Sequence, residues 1–128
     1  MIRRHLLLAC TLFALSVIGC ATPPNTPFIV FFVDDSAALQ PSAQEVLRGV
    51  AASAARFPEA PVRVLGFAGV DRGQAFGREL SARRAQRVSD QLVEYGVARP
   101  RIRVSSRSAV AAELMPTEAR RVEVRIGE

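Results

Sequence analysis

Apolar positions recur along this chain in two rhythms, one of period two and one of period 3.6, and they alternate. Residues 28–33, FIVFFV, form a continuous apolar run of strand length, which predicts a buried central strand. DDSAALQ follows as a turn, with Asp34 and Asp35 at the strand's end. Pro41 suits the first turn of a helix, where its missing N–H is harmless. Val46, Leu47, Val50, Ala54 and Phe57 then return at helical spacing to about Arg56, and FPEAP stops the run. VRVLGF, 62–67, alternates into a second strand. A loop carrying Gly66, Gly69, Gly73 and Gly77 leads into a second helix, expected to end near Tyr95 with Gly96 as its stop. RIRVS, 101–105, reads as a third strand. RVEVRI, 121–126, sets Val122, Val124 and Ile126 against Arg121, Glu123 and Arg125, the alternation of a half-exposed strand. Between them, 106–119 is a connection with a helical turn near Met115 to Ala119. The order βαβαβ-β predicts an α+β domain, one sheet with helices packed on one face.

The first twenty residues follow a different pattern. MIRRH is a short basic start, LLLACTLFALSVI is an apolar run of thirteen, and GC follows. That is the layout of a secretory signal peptide, and the run is shorter than the ~20 residues a spanning helix needs. Val17-Ile18-Gly19-Cys20 resembles a bacterial lipobox. The resemblance implies that Cys20 becomes the lipidated, palmitate-bearing first residue of the mature protein. It also implies that Ala21, standing where a retention signal would have Asp, sends it to the outer membrane. ATPPNTP, 21–27, is a proline-rich linker reaching ~20 Å at ~3.1 Å per residue. The expected divisions are 1–19 signal peptide, 20–27 lipidated cysteine and linker, and 28–128 folded domain.

This division changes what chemistry is available. Cys10 and the only histidine, His5, leave with the signal peptide, and Cys20 is blocked by lipid. A disulfide, a Cys- or His-based metal site, a Ser-His-Asp triad and a Cys-His pair are then all excluded. The expectation is a non-enzymatic protein with no metal and no cofactor. The chain has 17 basic and 12 acidic residues, and every basic residue is arginine. Without Arg3 and Arg4 the balance is 15 to 12, a net +3. A basic surface suits nucleic acid, anionic lipid or an anionic polymer; in an exported protein without an aromatic stacking motif, nucleic acid is not expected. The glycine loop is not a phosphate cradle. A Walker loop requires a lysine, and the chain has none. The spacing of Gly66, Gly69, Gly73 and Gly77 does not fit G-x-G-x-x-G either.

The second helix holds the most informative side chain. On a wheel of about 100° per residue, Leu80, Ala85, Val88, Leu92 and Tyr95 share one face, and Arg84 falls inside it. Arg83 and Arg87 fall outside, on a solvated face. An inward arginine needs a partner anion, either an internal carboxylate or one brought by a ligand, for which the planar guanidinium fork is suited.

From Phe28 to Ile126 the chain resembles the OmpA-like C-terminal domain, the peptidoglycan-associated module of Gram-negative envelopes. The matching pieces are GFAG after the second strand, LSARRAQRV at 80–88, YGVARPRI at 95–102 and EARRVEVRI at 118–126. The resemblance implies a single mixed sheet and non-covalent binding of the diaminopimelate of the peptidoglycan stem peptide. In that family the Asp of G-H-T-D holds the ammonium and the Arg of L-S-x-x-R-A holds the carboxylate. The Arg falls on Arg84. The position of the Asp falls on Gly69, that of the His on Phe67 and that of the Thr on Ala68. The Asn opening the helix motif falls on Gly77, and that of N-R-R on Ala119. Asp71, two residues on, is the carboxylate that a rearranged loop would bring to the place of the missing Asp. Arg121 is expected to assist.

Two functions follow as expectations. One is an outer-membrane lipoprotein, lipid-anchored through Cys20 and facing the periplasm. It would bind peptidoglycan through Arg84, Arg121 and Asp71 and so link outer membrane and cell wall. The other is an OmpA-like scaffold that has lost peptidoglycan binding and docks other envelope proteins.

Overall fold

The computed structural model describes residue 19, residues 21–107 and residues 116–127. The lipidation expected at Cys20, all but the last residue of the signal peptide expected at 1–19, and residues 108–115 of the connection expected at 106–119 lie outside the described residues. Among these, the chain runs β1 (Phe28–Phe31), α1 (Pro41–Arg56), β2 (Val62–Gly66), α2 (Gln74–Glu94), a 3-10 turn at Arg99–Arg101, β3 (Ile102–Ser106), α3 (Pro116–Ala119) and β4 (Arg121–Ile126).

The helix starts and stops follow local chemistry. Pro41 is the first residue of α1. After α2, Gly96 adopts φ 101°, a conformation open to glycine at no steric cost. Its N–H donates to Val93 O at 3.0 Å and that of Val97 to Leu92 O at 2.9 Å. These are the paired bonds of a Schellman stop. Gly77, expected in the loop, lies instead inside α2. The glycine's low helix propensity is outweighed because it packs in a buried position.

The four described strands form one sheet in the order β1-β4-β2-β3. β4 is antiparallel to both its neighbours, and β2 and β3 are parallel. β1, α1 and β2 are therefore a split βαβ unit with β4 inserted between its parallel strands. This corrects one expectation: β1 is an edge strand, not a central one. Its apolar run serves two sides. Val30 and Phe32 face the core, while Phe31 and Val33 are about half exposed. A continuous apolar run cannot report which neighbours a strand will have.

Both long helices cover one face. Val30, Val62, Val64, Val122, Val124 and Ile126 meet Leu47, Val50 and Ala54 of α1 and Ala85, Val88 and Leu92 of α2 in a single core. The opposite parity of the strands (Arg63, Leu65, Arg103, Ser105, Arg121, Glu123, Arg125) lies on the face away from both long helices, where Arg63, Arg103 and Ser105 are exposed and Arg121 and Glu123 are largely buried. α2 lies so close to β2 that a Cβ at Gly66 would stand 2.1 Å from Ser81 O. At the lower end of the sheet, where β1 and β2 begin, Arg101 ties off α1. Its Nε donates to Ala60 O at 3.0 Å, and its Nη2 to Phe57 O at 2.7 Å and Ala54 O at 3.1 Å.

The glycine contacts predict opposite outcomes for one substitution type. Gly66→Ala forces helix and strand apart and should cost about 3 kcal/mol in urea unfolding. Gly49→Ala on the exposed side of α1, where a Cβ meets nothing within 4 Å, should gain about 1 kcal/mol.

Candidate functional site

Because β1 and β2 are parallel and β4 runs against them, the ends of β1 and β2 and the start of β4 meet at one end of the sheet. The segments leaving these ends, with the first turns of α2, enclose a cavity of about 350 Å³. Asp34 and Asp35 come from the end of β1. Gly69, Asp71 and Arg72 come from the loop after β2, and Phe76, Leu80 and Arg84 from α2. Ala119 and Arg120 come from the approach to β4.

Arg84 is at its floor and is 0% exposed. No ion pair holds it among the described residues. Its Nε donates to Ser36 O at 2.8 Å, Nη1 to Phe67 O at 3.2 Å and Nη2 to Asp34 O. The guanidinium also lies 5.2 Å from the centre of the Phe32 ring. Three of its five N–H groups are thus taken by main-chain carbonyls from two separate segments, leaving two. Asp34 adopts φ 31°, in the left-handed region that Asp tolerates better than most residues. Burial lowers the Arg84 pKa from the ordinary guanidinium range to about 10; the nearby Asp35 charge opposes that shift and Arg120 adds to it. Arg84 remains cationic at neutral pH.

The upper walls are paired charges. Asp34 Oδ1 accepts from Arg120 Nη1 at 2.5 Å. Asp35 Oδ2 accepts from Arg72 Nη1 at 3.2 Å, and the Arg72 guanidinium lies 4.2 Å from the centre of the Phe76 ring. Asp71 stands differently. A Cβ built on Gly69 would lie 3.3 Å from Asp71 Oδ2. The Asp71 carboxylate therefore fills the space into which a side chain at 69 would project. Arg120 brings a further feature: its Nε is buried and has no acceptor among the described residues.

Arg84 and Asp71 thus belong to one cavity, and Arg121 does not. It is Arg120 that lines the cavity. Arg121, one residue on, has the opposite parity and lies on the face of the sheet away from the long helices. There it is bound to Glu123 at 3.0 Å and to Glu118 O, with its guanidinium 4.0 Å from the centre of the Phe67 ring. Sequence reasoning also missed Arg72, Phe76 and the Asp34–Asp35 turn as wall residues. The turn's place at the end of a strand parallel to β2 was the available signal. Among the described residues no group of His, Cys, Asp and Glu side chains is placed to hold a metal ion. None of their helices is long and apolar enough to cross a membrane.

Comparison with known proteins agrees with this architecture. The profile of the OmpA family matches residues 31–124, and the chain belongs to that family. Among solved structures it is similar to the peptidoglycan-associated lipoprotein of Burkholderia pseudomallei. The identity is 21% and the TM-score 0.70, over 77% of this chain and 88% of that one. It is similar to the C-terminal domain of Helicobacter pylori MotB (23% identity, 80% and 84% covered, TM-score 0.67). It also resembles the OmpA-like domain of FopA1 from Francisella tularensis (20% identity, 78% and 73% covered, TM-score 0.67). No curated protein matches the chain.

Arg84→Ala strips the donor from three main-chain carbonyls and should cost about 3 kcal/mol in chemical denaturation. Arg84→Lys should fall between, because one ammonium cannot span three acceptors in a plane. The pH dependence follows from the lowered pKa. From about pH 10 up to the ordinary guanidinium range the unfolded chain binds more protons at Arg84 than the folded one, so stability from this group rises only there. The difference between wild type and Arg84→Ala should therefore be constant from about pH 6 to 9.

Proposed function

We propose that this domain binds peptidoglycan non-covalently at the Arg84 cavity and that, anchored by lipid at Cys20, it links the outer membrane to the cell wall. The ligand is the zwitterionic end of a diaminopimelate side chain, its ammonium at Asp71 and its carboxylate toward Arg84 and Arg120. The observation that carries this reading is the place of the Asp71 carboxylate, 3.3 Å from where a Cβ of Gly69 would be, above an arginine floor. A carboxylate supplied two residues later on the loop so comes to the same cavity. The buried Nε of Arg120, which has no acceptor among the described residues, is a donor that an incoming carboxylate would satisfy. Arg121 is left out of the contact and holds the strand's other face. The catalytic alternative has little to work with, since Asp34 and Asp35 are each tied to an arginine.

The fold also orients the site. The cavity lies at the upper end of the sheet. The linker reaches the lower end, where a Cβ at Gly127 would stand 3.2 Å from Pro23 Cγ. Six residues of β4 separate the two, about 20 Å at ~3.4 Å per residue. A chain tethered at Cys20 therefore holds its cavity away from the membrane, toward the wall.

A second reading is favoured by one observation. Arg84 is fully buried and bound to main-chain carbonyls, as a purely structural arginine would be. In this reading the domain is an OmpA-like scaffold that docks other envelope proteins.

Co-sedimentation with purified sacculi separates the two. Residues 21–128 should pull down with sacculi, and Asp71→Asn, an exposed position that bonds nothing in the core, should lose at least tenfold in affinity. The double variant Gly69→Asp/Asp71→Gly returns the carboxylate to the loop's earlier position and should restore binding. No pull-down by the wild-type domain would establish the scaffold reading.

A further inference from the structure

The face of the sheet away from the long helices carries an arrangement that the cavity does not use. Arg63 of β2 is paired in register with Arg103 of β3 on one side and Arg125 of β4 on the other. Three arginines therefore stand abreast on adjacent strands, whose spacing is about 4.8 Å. Like charges directly opposite each other destabilise a sheet. Neither Arg63 nor Arg103 has a hydrogen-bond or ion-pair partner among the described residues. Glu123 is the one carboxylate on this face among the described strands, and it is already engaged by Arg121 at 3.0 Å and Arg125 at 3.7 Å. Counting four arginines against one glutamate, the face holds a net +3. That equals the net charge of all of residues 21–128, which is 15 basic against 12 acidic. Between Arg63 and Arg125 the surface dips into a depression of about 170 Å³, lined also by Leu65, Ser105 and the already engaged Glu123.

The position of this row says what it meets. Arg63 and Arg103 are the second residues of their strands, and Arg125 is the second from the end of β4. The row thus lies at the lower end of the sheet, opposite the cavity. The chain arrives at the same end: Pro23 lies against Gly127, two residues beyond Arg125. Only Ala21 and Thr22 then separate the packed chain from Cys20, a span of about 10 Å from Pro23. The segment before Cys20 is the basic start and apolar run of the leader.

We infer that the Arg103–Arg63–Arg125 row is a docking surface for an anionic phospholipid bilayer, holding the domain's lower end against headgroup phosphates. Guanidinium groups suit phosphate oxygens, and such attraction acts only within about a Debye length, ~8 Å at physiological salt. A two-residue tether keeps the lower end of the domain close to that range. The inference uses the lipid-anchor reading for direction only; the surface itself is testable without the anchor.

Every core residue lies between Val30 and Ile126, so a chain of residues 21–128 keeps the whole core. It should bind phosphatidylcholine vesicles only when they contain phosphatidylglycerol, and high salt should release it. Arg63→Gln/Arg103→Gln removes two exposed charges and should weaken this partitioning roughly thirty-fold. A control, Arg48→Gln/Arg83→Gln, removes the same charge from the outer sides of α1 and α2 and should leave vesicle binding within about threefold of wild type. Equal loss in both double variants would reduce the effect to net charge and overturn the inference. So would equal binding to neutral and anionic vesicles. No binding to anionic vesicles would also overturn it and leave the row to an acidic protein surface. Sacculus co-sedimentation of Arg63→Gln/Arg103→Gln should match wild type, so failure here and failure of the peptidoglycan reading are separate results.

Discussion

A buried guanidinium with no carboxylate partner among the described residues sets the terms for the upper half of this domain. Arg84 projects from α2 into the core's edge, where an unsatisfied cation would be far too costly to keep. The chain answers with main-chain carbonyls drawn from the turn after β1 and from the end of β2. Hydrogen bonds to a charged donor are worth about 1.5–3 kcal/mol each when their partners are held in place. The loops that wall the cavity are therefore fastened to a helix through one side chain. Arg101 repeats the device at the lower end, gathering the carbonyls that end α1 and lead into β2. In a protein whose cations are all arginine, the fork serves as a joint between segments as well as a charge.

How much of this was legible depended on what each position had to satisfy. The helices were readable because their limits are local: Pro41 begins α1, and Gly96 ends α2 through a left-handed turn. Alternation at 121–126 identified β4 and its two faces. The same alternation held the answer about Arg120 and Arg121, since neighbours in phase with a strand point to opposite sides. The wheel placed Arg84 inside because the helix period is regular. The edge position of β1 was not legible, because the apolar run reports burial and not pairing, and β4 comes from the far end of the chain. Nor could spacing show that Asp71 folds back beside Gly69, as loop geometry is set by contacts that the chain makes elsewhere. Arg101 gave no signal at all: its carbonyl partners are 41 to 47 residues away.

The two ends of the sheet have been given different work. Parallel β1 and β2 deliver acidic and glycine-bearing loops to the upper end, together with the inward arginine of α2. The lower end receives the incoming chain, together with Arg63 and Arg103, whose side chains have no partner among the described residues. One small sheet separates the two by a strand's length, with no second domain needed to do so.

That separation has a mechanical consequence. A pull applied between the linker and a ligand held in the cavity is directed along the strands. β1 begins at the end where the load enters, and the loops after β1 and β2 lie where it leaves. The hydrogen bonds joining β1 to β4 and β4 to β2 lie across this direction. Such a load shears whole ladders at once instead of unzipping them bond by bond. The domain is built to resist tension along its length far better than tension that peels an edge strand away.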